Sequence, residues 1–238
     1  MLSTEGSESN LPYLILLDEA NLSPIEYYWS EFMRMADRDD GESCINIGED
    51  NDIYIPETLR FVTTINNDQT TEPLSPRLLD RAWVIKLPEI ELDYSEKPNY
   101  NEVFTDIITW DEIVNAFVKP EKPEIKLENV LSQVYKAFSD RGLVVSPRIQ
   151  KSIRMYVIVA QSLMEDDINQ NVKGYEKAID YAILQKLLPK INGTNFTKLF
   201  SSMKNICNEN HLYLTLNAIE TMESQPEYES MGYCQYLG

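Results

Sequence analysis

The strongest constraint on the fold is the run Leu11–Leu17 (LPYLILL), which is almost continuously apolar and is followed by Asp18 and Glu19. Such a run is typical of a strand that is covered on both faces, as in a parallel sheet packed between helices. Two further apolar runs, Leu59–Ile65 (LRFVTTI) and Ala82–Leu87 (AWVIKL), have the same character. The first third of the chain is therefore predicted to form an α/β layer with buried strands.

Three Ser-Pro pairs mark predicted helix starts, because serine caps a helix N-terminus and proline suits its first position. They are Ser23-Pro24, Ser75-Pro76 and Ser146-Pro147. Glu26 completes a capping box after the first pair, so a helix is predicted through Tyr27–Ala36. The second pair opens a short predicted helix over Arg77–Arg81, and the third opens a helix in the second half of the chain.

Two short alternating stretches, Cys44–Ile47 and Ile53–Ile55, predict a β-hairpin between the first two long strands, with its turn at Gly48–Asp52. From Ile125 onward the apolar residues recur with a helical period. The predicted helices there are 125–139, 147–165, 174–189, 195–209 and 211–222. The tail, 224–238, shows no period and is left unassigned.

These elements divide the chain into three parts. Residues 1–90 are predicted to form the α/β layer, and residues 125–238 an all-α domain. Residues 91–124 are acidic and proline-rich, which indicates a linker, with one helix near 110–118. A chain of 238 residues has room for two small domains of this kind.

The net charge of -18 limits the partners of the chain. Binding to nucleic acid or to anionic lipid depends on Lys and Arg, so a surface this acidic argues against both as general partners. The charge is uneven, however. Residues 1–58 carry 14 acids and 2 bases, whereas residues 59–90 carry 4 of each. The acids of 37–52 fall on predicted loop and are interpreted as solvated, although a nuclease site built on them is an alternative.

Cysteine and histidine content excludes several kinds of site. Cys44, Cys207 and Cys234 are widely spaced, and His211 is the single histidine. A disulfide framework, a Cys- or His-based metal site and a Ser-His-Asp triad are therefore not expected. No apolar run approaches the roughly 18 residues of a membrane span, and no signal peptide is visible. We expect a cytoplasmic protein without a membrane partner.

Asp18 and Glu19 follow the first predicted strand, and Asn66 follows the second. In open α/β sheets, ligands bind beyond the carboxyl ends of the strands. Nucleotide hydrolysis is the chemistry that needs such a set, with Asp18 holding Mg²⁺ and Glu19 activating water. Asn66 would contact the terminal phosphate. The alternative interpretation is that all three are ordinary solvated turn residues.

Three arginines are the candidate basic groups. Arg77 and Arg81 are four residues apart on one predicted helix, and Arg148 lies just inside the third Ser-Pro start. Cations at a helix N-terminus oppose the helix dipole, which favours placement for a ligand. The alternative is that these arginines are solvated and pair with neighbouring acidic residues.

Four segments of the sequence resemble, in the same order, motifs of a known family. YLILLDEAN (13–21) resembles the Walker B strand of AAA+ ATPases, and LRFVTTINND (59–68) resembles their sensor-1 strand. LSPRLLDRAWVI (74–85) resembles the arginine-finger helix and the strand after it. VVSPRIQKSI (144–153) resembles the sensor-2 helix of the lid domain. The predicted hairpin is similar to the insertion in the branch of MoxR-type chaperones, dynein and McrB-type restriction NTPases, with McrB-like members nearest.

The resemblance implies a partial AAA+ core with a β-hairpin insertion, followed by an all-α lid. It implies that Asp18 coordinates Mg²⁺, that Glu19 activates water and that Asn66, with Asn67 as second choice, makes the sensor-1 contact. It also implies a finger role for Arg81 and a sensor-2 role for Arg148, whereas Arg77 has no clear counterpart. The implied cofactors are ATP or GTP with Mg²⁺, and the implied assembly is a ring, commonly a hexamer.

One motif of the family is missing, because no GxxxxGK(S/T) phosphate-binding loop occurs in the sequence. We therefore expect the C-terminal part of a larger NTPase, inactive as this chain alone, that in complete form remodels a protein or nucleic acid. A nuclease or a remodelling substrate would be its partner, and nucleic acid would be bound through missing domains. The alternative is a non-catalytic interaction module that retains the scaffold.

Overall fold

A computed structural model of the chain describes residues 10–35, 44–46, 52–66, 73–87, 107–117 and 125–237. Within these ranges the protein is mixed α/β, with an α/β region at residues 10–87 and a helical region at residues 125–237. The helix Trp110–Ala116 contacts the α/β region, through Asn10 and Arg60. The elements in chain order are β1 (Tyr13–Leu17), α1 (Ile25–Met35), β2 (Cys44–Asn46), β3 (Asp52–Tyr54), β4 (Leu59–Thr63), α2 (Pro76–Leu79), α3 (Trp110–Ala116), α4 (Ile125–Asp140), α5 (Pro147–Ala160), α6 (Gly174–Lys186), a 3₁₀ turn (Leu188–Lys190), β5 (Asn192–Thr194), α7 (Thr197–Glu209), α8 (Tyr213–Glu223), α9 (Pro226–Met231) and β6 (Tyr233–Gln235).

β1 and β4 form a parallel pair, in register from Tyr13 opposite Leu59 to Leu17 opposite Thr63. One face of this pair packs on α1 through an aromatic cluster of Trp29, Phe32 and Phe61, whose ring centroids lie 4.1–5.0 Å apart. The predicted parallel arrangement of the two strands is therefore confirmed, and their carboxyl ends lie side by side.

The opposite face of the same pair is open in the described part of the chain. Leu14 and Leu16 are 68% and 61% exposed, and Val62 beside them on β4 is also exposed. Strands of a parallel sheet are normally covered on both faces, and two strands alone are marginally stable at best. This apolar face is thus the part of the α/β region that most needs a further covering element.

The helical region contains the main hydrophobic core. Helices α4 to α8 bury their apolar stripes against one another, as amphipathic helices do. Its fully buried side chains include Phe138, Ile149, Ile153, Ile179, Ile183 and Phe200. The tail, for which the sequence predicted no element, forms α9 and then β6, which pairs antiparallel with β5.

Asp180 of α6 joins two of these helices. Its carboxylate is 4% exposed and accepts backbone N–H bonds from Leu214 and Thr215, each at 2.8 Å, in the first turn of α8. Burial raises the pKa of this carboxyl, and the hydrogen bonds oppose that rise. Asp180 therefore caps α8 from a neighbouring helix.

We expect Asp180→Ala to lower the free energy of unfolding by about 2 kcal/mol, because the buried N–H of Thr215 and the partly buried N–H of Leu214 lose their acceptor. Urea unfolding monitored by circular dichroism measures the change. Asp180→Asn, which keeps one acceptor oxygen, should lose less stability. Equal stability of the wild type and Asp180→Ala would contradict the cap.

The segment Ala82–Leu87 is not a strand, so the prediction of a third strand there is wrong. It runs without a strand neighbour in the described ranges and lies along α6, where Val84 N donates to Gln185 O at 3.0 Å. A strand needs a neighbour to complete its ladder, and apolar character alone does not supply one. Trp83 instead packs against the helical region, on Tyr156 with ring centroids 4.6 Å apart, whereas Ile85 and Leu87 are exposed.

Most predicted helices are confirmed with shifted ends. α1 begins at Ile25 rather than Pro24, and α2 is a single turn capped by Ser75. α5 ends at Ala160, short of the predicted 165. α6 ends at Lys186 because Pro189 cannot continue an α-helix, and a 3₁₀ turn follows.

Some predictions lie outside the described residues. They include the end of the first helix at Ala36, the hairpin turn around 48–51, Asn67, and most of the linker, of which 107–117 is described as α3 and its flanks. None of the helices within the described ranges combines the length and apolar character that crossing a bilayer requires.

Candidate functional site

Asp18, Glu19 and Asn66 lie together where β1 and β4 end. The Asn66 side-chain amide donates to Glu19 Oε1 at 3.1 Å. The Thr64 hydroxyl donates to Asp18 Oδ1 and accepts the backbone N–H of Glu19 at 2.8 Å. The structure therefore brings together the three polar residues that the sequence predicted at this edge and adds Thr64 between them.

Glu19 holds an unusual backbone conformation. Its φ is 51°, in the left-handed region. Non-glycine residues there cost about 1–3 kcal/mol unless they are of a type that tolerates it, chiefly Asn, Asp and His. The other non-glycine residues with positive φ in the described ranges are Asn171, Asn195 and His211. Glu19 is thus a strained residue whose side chain is aimed at Asn66, and strain of this kind clusters at functional sites.

Asn21 fixes the backbone of Asn66. Its side-chain amide donates to Asn66 O at 2.7 Å, and its Oδ1 accepts from Asn66 N at 3.1 Å. Asn21 is 5% exposed, so this two-bond contact is partly buried. It joins the loop after β1 to the end of β4 and so fixes the position of Asn66 relative to Glu19.

A cleft of about 1230 Å³ opens beside this edge, between the α/β region and the helical region. Asn21 and Asn66 line one wall, and the opposite wall comes from Gly142–Val144, the 3₁₀ turn and β6. Its charged lining residues are Arg77, Arg81, Lys190 and Asp80. In a chain of charge -18 the described cleft is therefore locally basic, which suits an anionic ligand.

The predicted arginines occupy different surroundings. Arg81 Nε donates to Met33 O at 3.2 Å, at the end of α1, and its Nη1 donates to Arg77 O at 2.7 Å. Arg77 is exposed. Arg148 is also exposed, one residue into α5, whose N-cap is Ser146 as predicted. Arg148 does not line the cleft.

Lys186 of α6 is a buried cation that the sequence analysis did not single out. It is 1% exposed, its Nζ donates to Ala82 O at 2.6 Å, and it lies over the Trp83 ring at 5.5 Å. Burial lowers the pKa of Lys186 to about 8. Asp80 opposes this shift, and Lys190, Arg148 and Arg81 reinforce it. Several cations therefore lie around the buried Lys186, where the α/β region meets the helical region.

The lowered pKa of Lys186 gives a pH-dependent contribution to stability. The unfolded lysine titrates near 10.5 and the folded one near 8. Between these values the unfolded chain binds more protons, so stability rises with pH, while below pH 8 the penalty of burying the charge is fully present.

We expect the difference in unfolding free energy, wild type minus Lys186→Met, to increase by about 2 kcal/mol from pH 7 to pH 9.5. Urea unfolding at both pH values measures it. Lys136→Met is the control, because the Lys136 side chain is 73% exposed. A difference that does not change with pH would contradict the burial of a charged Lys186.

The residues at this edge, Asp18, Glu19, Thr64 and Asn66, can offer a Mg²⁺ ion only a few protein ligands. No group of three or more His, Cys, Asp or Glu side chains within the described ranges could hold a metal. Mg²⁺ usually binds one or two carboxylates together with substrate phosphates and water. Asp18 and the Thr64 hydroxyl can provide such a partial set.

Sequence reasoning missed Thr64, Asn21 and Lys186. Thr64 lies inside the second apolar run, Leu59–Ile65, so the signal used for Asn66, a polar residue that follows the run, does not single it out. Asn21 follows the carboxylate pair by two residues and reads as a turn residue. Lys186 gave no signal, because a lysine in a helix is normally exposed.

The fold and site therefore define a mixed α/β chain with a polar cluster at two strand ends, one member of which, Asn66, lines a basic cleft. The sequence model of the family described as "Domain of unknown function (DUF8727)" matches residues 100–231. That is more than half of the chain, so the chain belongs to the DUF8727 family. No curated protein and no solved structure matches the chain significantly.

Proposed function

We propose that the chain is the C-terminal part of a McrB-like AAA+ NTPase, in which hydrolysis by a ring assembly remodels a protein or nucleic-acid partner. The observation that carries this proposal is the contact between Glu19 and Asn66 across two parallel strand ends, with Glu19 strained at φ 51°. A general base and an amide at adjacent strand ends suit the positioning of an attacking water.

In this proposal each residue has a separate task. Glu19 orients the attacking water and takes its proton, and Asn66 holds the Glu19 carboxylate and contacts the terminal phosphate. Asp18, supported by the Thr64 hydroxyl, would hold Mg²⁺, which neutralises charge on the phosphates when bound. Arg81 acts as the finger on a neighbouring subunit's nucleotide, and Arg148 acts as sensor 2.

The open face and edges of the two-stranded sheet also support the proposal. Leu14, Leu16 and Val62 lack cover in the described residues, and Ala82–Leu87 is extended without a strand neighbour. Further strands and helices would cover the apolar face and complete the ladder. A segment with a phosphate-binding loop is the element that this interpretation requires.

The test is complementation. The chain is co-expressed with the polypeptide encoded upstream of it that carries a GxxxxGK(S/T) loop, fused or separate, to give what we call the complemented assembly. We expect the chain alone to bind no nucleotide at micromolar concentration and the complemented assembly to hydrolyse ATP or GTP. Turnover by the chain alone, or none by the complemented assembly, would overturn the proposal.

A second candidate is a non-catalytic interaction module, and the extent of the family match favours it. Residues 100–231 include all the helices from α3 to α9 but exclude Asp18, Glu19 and Asn66. The helical region would then be the functional unit. Absence of any in-frame phosphate-binding loop upstream, together with a partner that binds residues 107–237, would support this candidate.

A further inference from the structure

The segment that carries Arg81 is fastened to the helical region by contacts along its length. Val84 N donates to Gln185 O at 3.0 Å, and Trp83 packs on Tyr156 of α5. Lys86 Nζ donates to Tyr236 O at 3.2 Å, just after β6. Backbone, aromatic and charged contacts from three different helical-region elements thus hold residues 83–86.

Two lysines of the helical region also contact the residues on either side of Arg81 in the sequence, Asp80 and Ala82. Lys190 forms an ion pair with Asp80 at 2.5 Å, with side chains only 11% and 26% exposed. Lys186, fully buried, donates to Ala82 O at 2.6 Å. Partly buried and buried charge contacts of this kind are costly to break, because the remaining partner is left uncompensated.

We propose that Lys186 and Lys190 are positioning residues for Arg81, which make its backbone move with the helical region rather than with the β1–β4 sheet. Arg81 itself reaches the α/β region through its guanidinium bond to Met33 O. Rotation of the helical region away from the sheet would therefore withdraw Arg81 from Met33 and change where its guanidinium points. The consequence for catalysis rests on the proposed function of Arg81, whereas the mechanical attachment does not.

Hydrogen exchange of the full chain tests the attachment. The Val84 amide reports on it directly, and the amides of Phe200 and Leu216 report on the helical core. We expect Lys190→Asp to speed exchange at Val84 by about tenfold, with the core amides unchanged, because only local opening becomes easier. The charge swap Lys190→Asp with Asp80→Lys should restore the slow exchange.

Lys136→Asp is the matched control, because the Lys136–Asp140 pair is similar in length, at 2.6 Å, but both side chains are mostly exposed. It should leave Val84 unchanged. Unchanged exchange at Val84 in Lys190→Asp would overturn the proposal. Equal loss of protection at Val84, Phe200 and Leu216 would also overturn it, since the lysine would then serve general stability.

Turnover of the complemented assembly separates positioning from stability. We expect Lys190→Asp to lower kcat, and the charge swap, which restores both the ion pair and the net charge of the cleft, to restore kcat. Faster exchange at Val84 with full turnover would overturn the positioning role. If the wild-type complemented assembly hydrolyses no nucleotide, the proposed function fails, and the exchange measurement still decides the attachment.

Discussion

Replacing Glu19 with glutamine is expected to lower nucleotide turnover of the complemented assembly by about 10²–10⁴-fold, the range that a general base contributes. Glutamine cannot take a proton from the attacking water, although it has the same shape. Nucleotide binding should persist, because Asp18 and Asn66 are unchanged. Steady-state turnover and a nucleotide titration by calorimetry measure the two effects separately.

The substitution should leave the fold intact. A glutamine Oε1 can still accept the Asn66 amide bond that Glu19 Oε1 accepts at 3.1 Å. Glu31→Gln is the matched control, because Glu31 is an exposed carboxylate on α1 that pairs with Arg34. Turnover that survives Glu19→Gln would assign the carboxylate to structure and remove the main support for hydrolysis at this site.

The site edge was predictable because its signals are local. Each apolar run ends in polar residues, and parallel pairing brings such ends together. The contact of Asn66 with Glu19 follows from that one step, whereas the contact of Thr64 with Asp18 was not predicted. The strained φ of Glu19 was not predictable, since it depends on how the loop after β1 closes onto β4.

The structure of a segment could not be predicted where it depends on contacts with residues far away in the sequence. Ala82–Leu87 has the composition of a strand, but its state depends on whether a second strand lies beside it. Lys186 is buried because Trp83 and Ala82 lie on it from more than 100 residues away in sequence. The tail forms β6 because β5 offers an edge, and its own sequence has no period that indicates a strand.

Arg81→Ala is expected to lower turnover of the complemented assembly by about 10³-fold or more, the effect of removing an arginine finger. The hydrogen bonds of its guanidinium to Met33 O and Arg77 O predict a second, smaller effect. Their loss should reduce the free energy of unfolding by about 1 kcal/mol. A stability loss with full turnover would mean that Arg81 serves only to join α1 to the segment after α2.

Mixing of two inactive variants decides whether Arg81 acts on its own chain or on a neighbour. In a ring that mixes Glu19→Gln chains with Arg81→Ala chains, some interfaces combine an intact Glu19 with an intact Arg81 from the adjacent chain. We expect turnover to reappear at those interfaces. If Arg81 acted within its own chain, every site in the mixture would lack one of the two groups, and mixing would restore nothing.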